Sequence, residues 1–136
     1  MALVYRQALV ALMQNNAWLD SNPIKAALIS DSTAYTPDPN AHEYVGDVLD
    51  GGTTAQEFQD SSYSRQSVEN TTIVANVDNT LRFGGLDVLF PALSGDTVQG
   101  VLVYYSGDNS LICYRDGGDY PATPDGGDFV VDWEDD

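Results

Sequence analysis

Residues 98–105, Val-Gln-Gly-Val-Leu-Val-Tyr-Tyr, constrain the fold more than any other segment of this chain. β-Branched and aromatic side chains lose χ1 freedom in a helix but pack well on a pleated surface, so the run reads as a strand. Leu111 to Arg115 is a second run of the same kind, and Ser106-Gly107-Asp108-Asn109-Ser110 between them is a hairpin-like loop. Ile24 to Ser30 (IKAALIS) is mostly apolar, which suits a central strand buried on both faces. Thr71 to Val77 and Thr80 to Phe83 read as extended, Asp87 to Phe90 as a short strand, and Phe129 to Trp133 as the last one. Residues 53–70 are polar and weakly patterned, as an edge strand with a long loop would be. About seven short strands separated by Gly, Asp and Pro turns predict one mainly β domain, an antiparallel β-sandwich of jelly-roll type.

Two helices are expected to accompany it. Over residues 3–14, Tyr5, Leu9, Leu12 and Met13 fall on one apolar stripe at helical spacing. Val4, Ala8, Val10 and Ala11 extend the apolar surface beyond that stripe, and such a helix needs burial on more than one side. Leu3, Val4, Val10 and Ala11 are accordingly candidate subunit contacts, the alternative being that the helix packs under its own sheet. Asn15-Asn16 end it, and a turn at Asp20-Ser21-Asn22-Pro23 separates residues 1–22, a helix and turn available for assembly, from a β-sandwich over 23–136. The apolar run lacks a preceding basic stretch and is broken by Arg6-Gln7, so it reads as mature sequence rather than a signal peptide. The second helix is predicted near 39–50. Asp38 would serve as N-cap, Pro39 as first residue, Ala41, Tyr44, Val45, Val48 and Leu49 as the apolar face, and Gly51-Gly52 as the stop.

Charge excludes whole classes of partner. Seventeen Asp and four Glu stand against four Arg and a single Lys, a net charge of −16 on 136 residues. Nucleic acid is bound through Lys and Arg on phosphate, and anionic membranes attract basic segments, so neither partner is expected. No stretch approaches the roughly 20 apolar residues of a membrane-spanning helix. A surface this acidic repels itself in dilute buffer and is relieved when the Debye length shrinks to about 3 Å in molar salt. With Asp favoured over Glu and Lys nearly absent, the composition is that of a protein from an extreme halophile.

The residue types that carry chemistry elsewhere do not assemble into a recognisable motif here. Cys113 is the only cysteine and sits in an apolar strand, as a core thiol does. Asp-Gly-Gly-Asp occurs twice in the C-terminal third, which makes Asp116, Asp119, Asp125 and Asp128 candidate cation ligands. Neither copy has the spacing of an EF-hand or a calcium β-roll, and turn chemistry explains Gly and Asp there. His42 is the only histidine, expected on the polar side of the second helix. Gly-x-Ser-x-Gly, His-Glu-x-x-His and a phosphate-cradling loop are all missing from the sequence, so no enzymatic activity and no cofactor are expected. Tyr104, Tyr105, Tyr114, Tyr120 and Trp133 crowd the C-terminal third. Most belong to core or strand faces; Tyr104 and Tyr120 are candidate interface residues, since Tyr is enriched at protein contacts.

Read in order, several segments resemble one family. Met1-Ala2-Leu3 leads to Trp18-Leu19-Asp20, then Ile24-Lys25-Ala26-Ala27-Leu28, Tyr35-Thr36-Pro37-Asp38, and His42-Glu43-Tyr44-Val45 with Asp47-Val48. Asp87-Val88-Leu89-Phe90, Val98 to Tyr105 and Leu111-Ile112-Cys113-Tyr114 follow, and Thr123 to Phe129 and Val131-Asp132-Trp133 close the series. Over nearly its whole length the chain is similar to small virion structural proteins of tailed viruses, found in phage and archaeal-virus genomes. The resemblance implies a β-rich virion component without catalysis or cofactor. Its partners would be itself, as a trimer or pentamer, and other virion proteins such as the major capsid protein. It implies a capsid-surface decoration or vertex (turret) role on the outside of a particle assembled in the host cytoplasm. The alternatives are a tail- or baseplate-associated component and a receptor- or glycan-binding module. The departure from the family is the Asp-rich surface, which fits a virus of a halophilic archaeon.

Thermal stability is therefore expected to climb steeply between about 0.1 M and molar NaCl. A melting temperature independent of salt over that range, followed by circular dichroism, would contradict the halophilic reading.

Overall fold

The computed structural model describes residues 2–5, 24–49, 51–69, 72–75, 81–84, 86–116 and 120–132. The apolar runs become strands: β1 (Ala2–Val4), β2 (Ile24–Ser30), β3 (Gln56–Glu57), β4 (Gln66–Val68) and β5 (Thr72–Ala75). They are followed by β6 (Leu81–Gly84), β7 (Val88–Phe90), β8 (Val98–Tyr105), β9 (Ser110–Arg115) and β10 (Phe129–Val131). The protein is mainly β, and every pairing among these strands is antiparallel. The largest sheet runs β1-β9-β8-β2-β3, with β4 also on β2; β7 pairs with β10, and β5 with β6, as separate ribbons.

Alternation along β2 and β8 divides the core in two. Ile24, Ala26 and Leu28 face one layer together with Val101 and Val103, while Ala27 and Ile29 face the other with Leu102 and Tyr104. Both strands are thus buried on both faces, as a run without polar alternation requires. The β7–β10 ribbon covers the first face through Val88, Phe90 and Val131, joined by Phe58 and Leu93. Tyr5, Tyr35, Val45, Val48 and Ala55 cover the second.

Two bulges set what each face receives. Ile29 lies opposite Gly100 and Ser30 opposite Val98, so Gln99 is the extra residue. Its side-chain amide donates to the Tyr35 carbonyl at 2.7 Å and accepts the Tyr35 N–H at 2.9 Å, pinning the covering loop to the sheet. In β9, Val103 lies opposite Cys113 and Tyr104 opposite Leu111, which leaves Ile112 over. Ile112 and Cys113 consequently both enter the first core layer, which strict alternation forbids.

The N-terminal helix is not found over the residues described. Ala2–Val4 is a strand, with Leu3 opposite Tyr114 and Val4 opposite Cys113, and the Tyr5 N–H continues the ladder to the Ile112 carbonyl at 3.0 Å. A short apolar run fits either periodicity, and here the unpaired edge of β9 decides it. Residues 6–14, with Val10 and Ala11, lie outside the described residues, as do Trp18 and Trp133.

The helix expected near 39–50 is overturned; within it only Val45–Asp47 form a 3₁₀ turn. Asp38 does cap a turn, its Oδ1 accepting the N–H groups of Asn40 and Ala41 at 3.0 and 3.1 Å. The chain then pairs with the β8–β9 hairpin. Leu111 donates to the Glu43 carbonyl at 2.9 Å, and Val45 donates to that of Asn109 at 3.0 Å. Tyr44 is held extended, opposite Ser110. Those backbone groups are no longer free for a helical ladder. The Asp47 carboxylate accepts the N–H groups of Glu43 and Tyr44, both at 2.9 Å, and these bonds hold its pKa below the usual carboxylate range.

Gly100 is where β8 passes closest to the Tyr114 ring. A Cβ there would lie 2.5 Å from the Tyr114 hydroxyl and 2.6 Å from the Arg115 carbonyl oxygen. Gly100→Ala is expected to destabilise the fold by about 1–3 kcal/mol, the usual cost of overpacking. Denaturant unfolding in molar NaCl checks it, and an unchanged midpoint would contradict this account of the packing.

Candidate functional site

The structure scatters the residues singled out from the sequence. Tyr104 is not offered to a partner: it is 3% exposed, and its hydroxyl accepts from Arg65 Nη1 at 3.1 Å. Even alternation along β8 turns it into the second core layer. Tyr120 is half-buried against the first layer, its ring 6.4 Å from that of Phe129. Leu3 and Val4 belong to β1, the outermost strand of the large sheet among the described residues. Cys113 is a buried core thiol.

Asp116, Asp125 and Asp128 are exposed, while Asp119 lies outside the described residues. Asp125 Oδ1 accepts the Gly127 N–H at 2.9 Å, and Leu93 bonds the backbone of Gly126 and Gly127, so the second Asp-Gly-Gly-Asp is a pinned turn. Gly126 takes φ +91, a conformation that favours glycine. Among the described residues, no three of His, Cys, Asp and Glu are grouped so as to hold a metal ion.

His42 is half-buried rather than on a polar helix face. Its ring stacks on Tyr35, with centroids 5.8 Å apart, and its Nδ1 lies 3.1 Å from the Tyr35 hydroxyl and accepts the Asp38 N–H at 3.2 Å. The Tyr35 hydroxyl is 2.8 Å from that of Tyr5, and burial raises the pKa of both phenols. This chain of side chains ties the first residues of the protein to the loop over the second core layer.

A second polar cluster had no signal in the sequence. Arg65 forks onto Glu57 through Nε and Nη2, both contacts at 2.8 Å, and its guanidinium lies 5.4 Å from the centroid of the Tyr104 ring. The Tyr63 hydroxyl donates to Glu57 and accepts the Leu28 N–H at 3.2 Å. β3 and β4 pair with opposite ends of β2, leaving Leu28 between them, and the Phe58 N–H and the Tyr63 hydroxyl serve that gap. Burial and the bond to Glu57 push the Tyr63 pKa up, and Glu57 does the same to Arg65. These residues border an open concavity of about 670 Å³, in which Arg65 and Glu57 are matched to each other and Asp60 accepts the Ser94 N–H at 3.1 Å.

The outward side of the β7–β10 ribbon has a different character. Leu89 lies opposite Val130, and the two are 47% and 50% exposed, while their neighbours Val88, Phe90 and Val131 are buried. Leu86 beside them is 52% exposed. A groove of about 350 Å³ runs between this ribbon and β4, lined by Gln66, Ser67, Glu69, Leu86, Asp87 and Pro91 among others. Asp87 and Asp132 continue the two strands at one end, and Asp128 precedes β10 at the other. Neither Asp-Val-Leu-Phe nor Phe-Val-Val-Asp alternates polar with apolar residues, so neither this face nor the pairing of the two segments was readable in the sequence. No protein-family model, curated protein or solved structure matches the chain.

Tyr63→Phe removes the acceptor of the Leu28 N–H and one donor to Glu57. It is expected to cost about 1–3 kcal/mol, the penalty for an orphaned buried group, whereas Tyr44→Phe on the surface should cost little. Equal unfolding midpoints for the two variants would remove the assigned role of Tyr63.

Proposed function

We propose that this chain is a non-enzymatic structural protein of a halophilic tailed virus, a capsid-surface decoration or vertex (turret) component acting by self-association and attachment to the particle. The observation that carries this reading is the ribbon face. On this acidic chain Leu89 and Val130 stand opposite each other at about half exposure, and Leu86, equally exposed, borders the adjoining groove with Leu89. Apolar side chains grouped on a small acidic protein mark a contact surface rather than a catalytic one. The whole-chain resemblance to virion proteins supports the same reading.

The antiparallel sheets serve as a rigid body, with the ribbon-on-sheet packing forming a β-sandwich of jelly-roll type. Self-association into a cyclic trimer or pentamer runs through the N-terminal segment, whose strand β1 comes last among the described strands of the large sheet. The major capsid protein is the attachment partner. Many weak contacts repeated around a ring give durable attachment without a large patch on any one subunit.

Quantitative mass spectrometry of purified particles tests the reading. The chain should co-purify at a fixed ratio to the major capsid protein and be accessible to surface labelling. Recovery only in the particle-free fraction would end the proposal.

A further inference from the structure

We propose that the outward face of the β7–β10 ribbon docks a different protein, one presenting an apolar side chain flanked by Arg or Lys, and not a second copy of this chain. The inference rests on the attachment reading above and gives it a location and a partner chemistry.

The centre of the face is apolar and the surround is acidic. Leu89 and Val130 sit opposite each other in register. Leu86 and Leu89 line the adjoining groove, whose volume of about 350 Å³ exceeds that of one aliphatic side chain. Glu69 and Asp87 line that groove, and Asp128 and Asp132 flank Val130 along β10. An apolar centre with a charged rim is the anatomy of a protein contact.

The sign of that rim selects the partner. A second copy would bring four more carboxylates against these four at contact distance, and molar salt with a Debye length of about 3 Å does not fully screen charges that close. This chain is also poor in cations for the rim. Of its five basic residues, which stand against 21 acidic ones, Arg115 is buried, Arg65 is forked onto Glu57, and Lys25 is half-buried within the central strand β2. A partner with Arg or Lys around a Leu or Val satisfies both parts of the face.

The test uses the full-length protein and a fluorescein-labelled peptide of alternating Arg and Leu/Val, with a Glu-for-Arg peptide as its counterpart. Fluorescence anisotropy should show the basic peptide binding and the acidic one failing. Leu89→Ser combined with Val130→Ser should weaken binding about tenfold or more, the loss of roughly 1.4 kcal/mol or more. Asp87→Asn with Asp128→Asn should weaken it several-fold, and Asp108→Asn in the distant β8–β9 loop should leave it unchanged. Equal binding by the Ser variant and the parent chain would reduce the effect to diffuse charge attraction and overturn the proposal. Concentration-dependent dimerisation abolished by the Ser pair would overturn it in favour of self-contact. Amide chemical shifts of the unmodified protein give a reading that does not depend on any variant folding. On adding the basic peptide, changes should cluster at residues 86–91 and 128–132, and clustering elsewhere counts against this face. These measurements need no virus particle. A failed peptide test overturns the partner chemistry assigned to the face, and absence from particles overturns the virion reading, so the two failures are told apart.

Discussion

Everything described here hangs on the pairing of β2 with β8. The ladder runs from Ile24 opposite Tyr105 to Ser30 opposite Val98, and both strands carry apolar side chains on both faces. Each fully buried Ile, Leu or Val contributes about 1.5–3 kcal/mol, so a pair buried on two sides draws covering layers onto both. The ribbon of β7 and β10 supplies one layer, and the segments around Tyr5, Tyr35 and Val45 supply the other. Without the central pair neither layer has a surface to lie on.

The cost of such burial is that backbone and side-chain polar groups must be matched locally. Gln99, expelled from the ladder by a bulge, takes both backbone groups of Tyr35. Tyr63 serves the Leu28 N–H where no strand reaches it, and the Arg65–Glu57 fork fixes the Tyr63 hydroxyl in turn. Tyr5, Tyr35 and His42 form a comparable chain on the other layer. These clusters look like sites at first sight, since they hold shifted phenols, a histidine and a guanidinium. Their bonds run to backbone groups and to one another, which is how a thin β protein closes its edges.

The net charge of −16 acts on a different scale from the core. It opposes compaction everywhere and favours no particular fold, so it bears on the solvent and on the partner. Where apolar side chains are nonetheless exposed, between acids on the ribbon, the two forces act together. In the docking proposed above, burial of Leu89 and Val130 would draw a partner in, and the carboxylates would reject one with the same sign.

The sequence alone determined that this chain is mainly β and antiparallel, because β-branched and aromatic runs such as Val98 to Tyr105 have no comparable alternative. It determined that Ile24 to Ser30 is central, that Cys113 is a core thiol, and that Ser106 to Ser110 joins a hairpin, since each is a local property of side-chain size or turn chemistry. Only the tertiary structure decided the rest. Leu3 and Val4 fit an apolar helix as well as a strand until the edge of β9 is in place. Asp38 and Pro39 start a turn well enough, but the β8–β9 hairpin takes the backbone groups of Glu43 and Val45 before a helix can. Tyr104 looked free because a tyrosine reads the same on either face of a strand; the layer it meets is fixed by residues far along the chain. The joining of β7 to β10, and with it the exposed Leu89 and Val130, depends on strands distant in sequence meeting over one core. Local chemistry sets periodicity and turns; which surfaces meet is settled by burial shared between segments that carry no mark of each other.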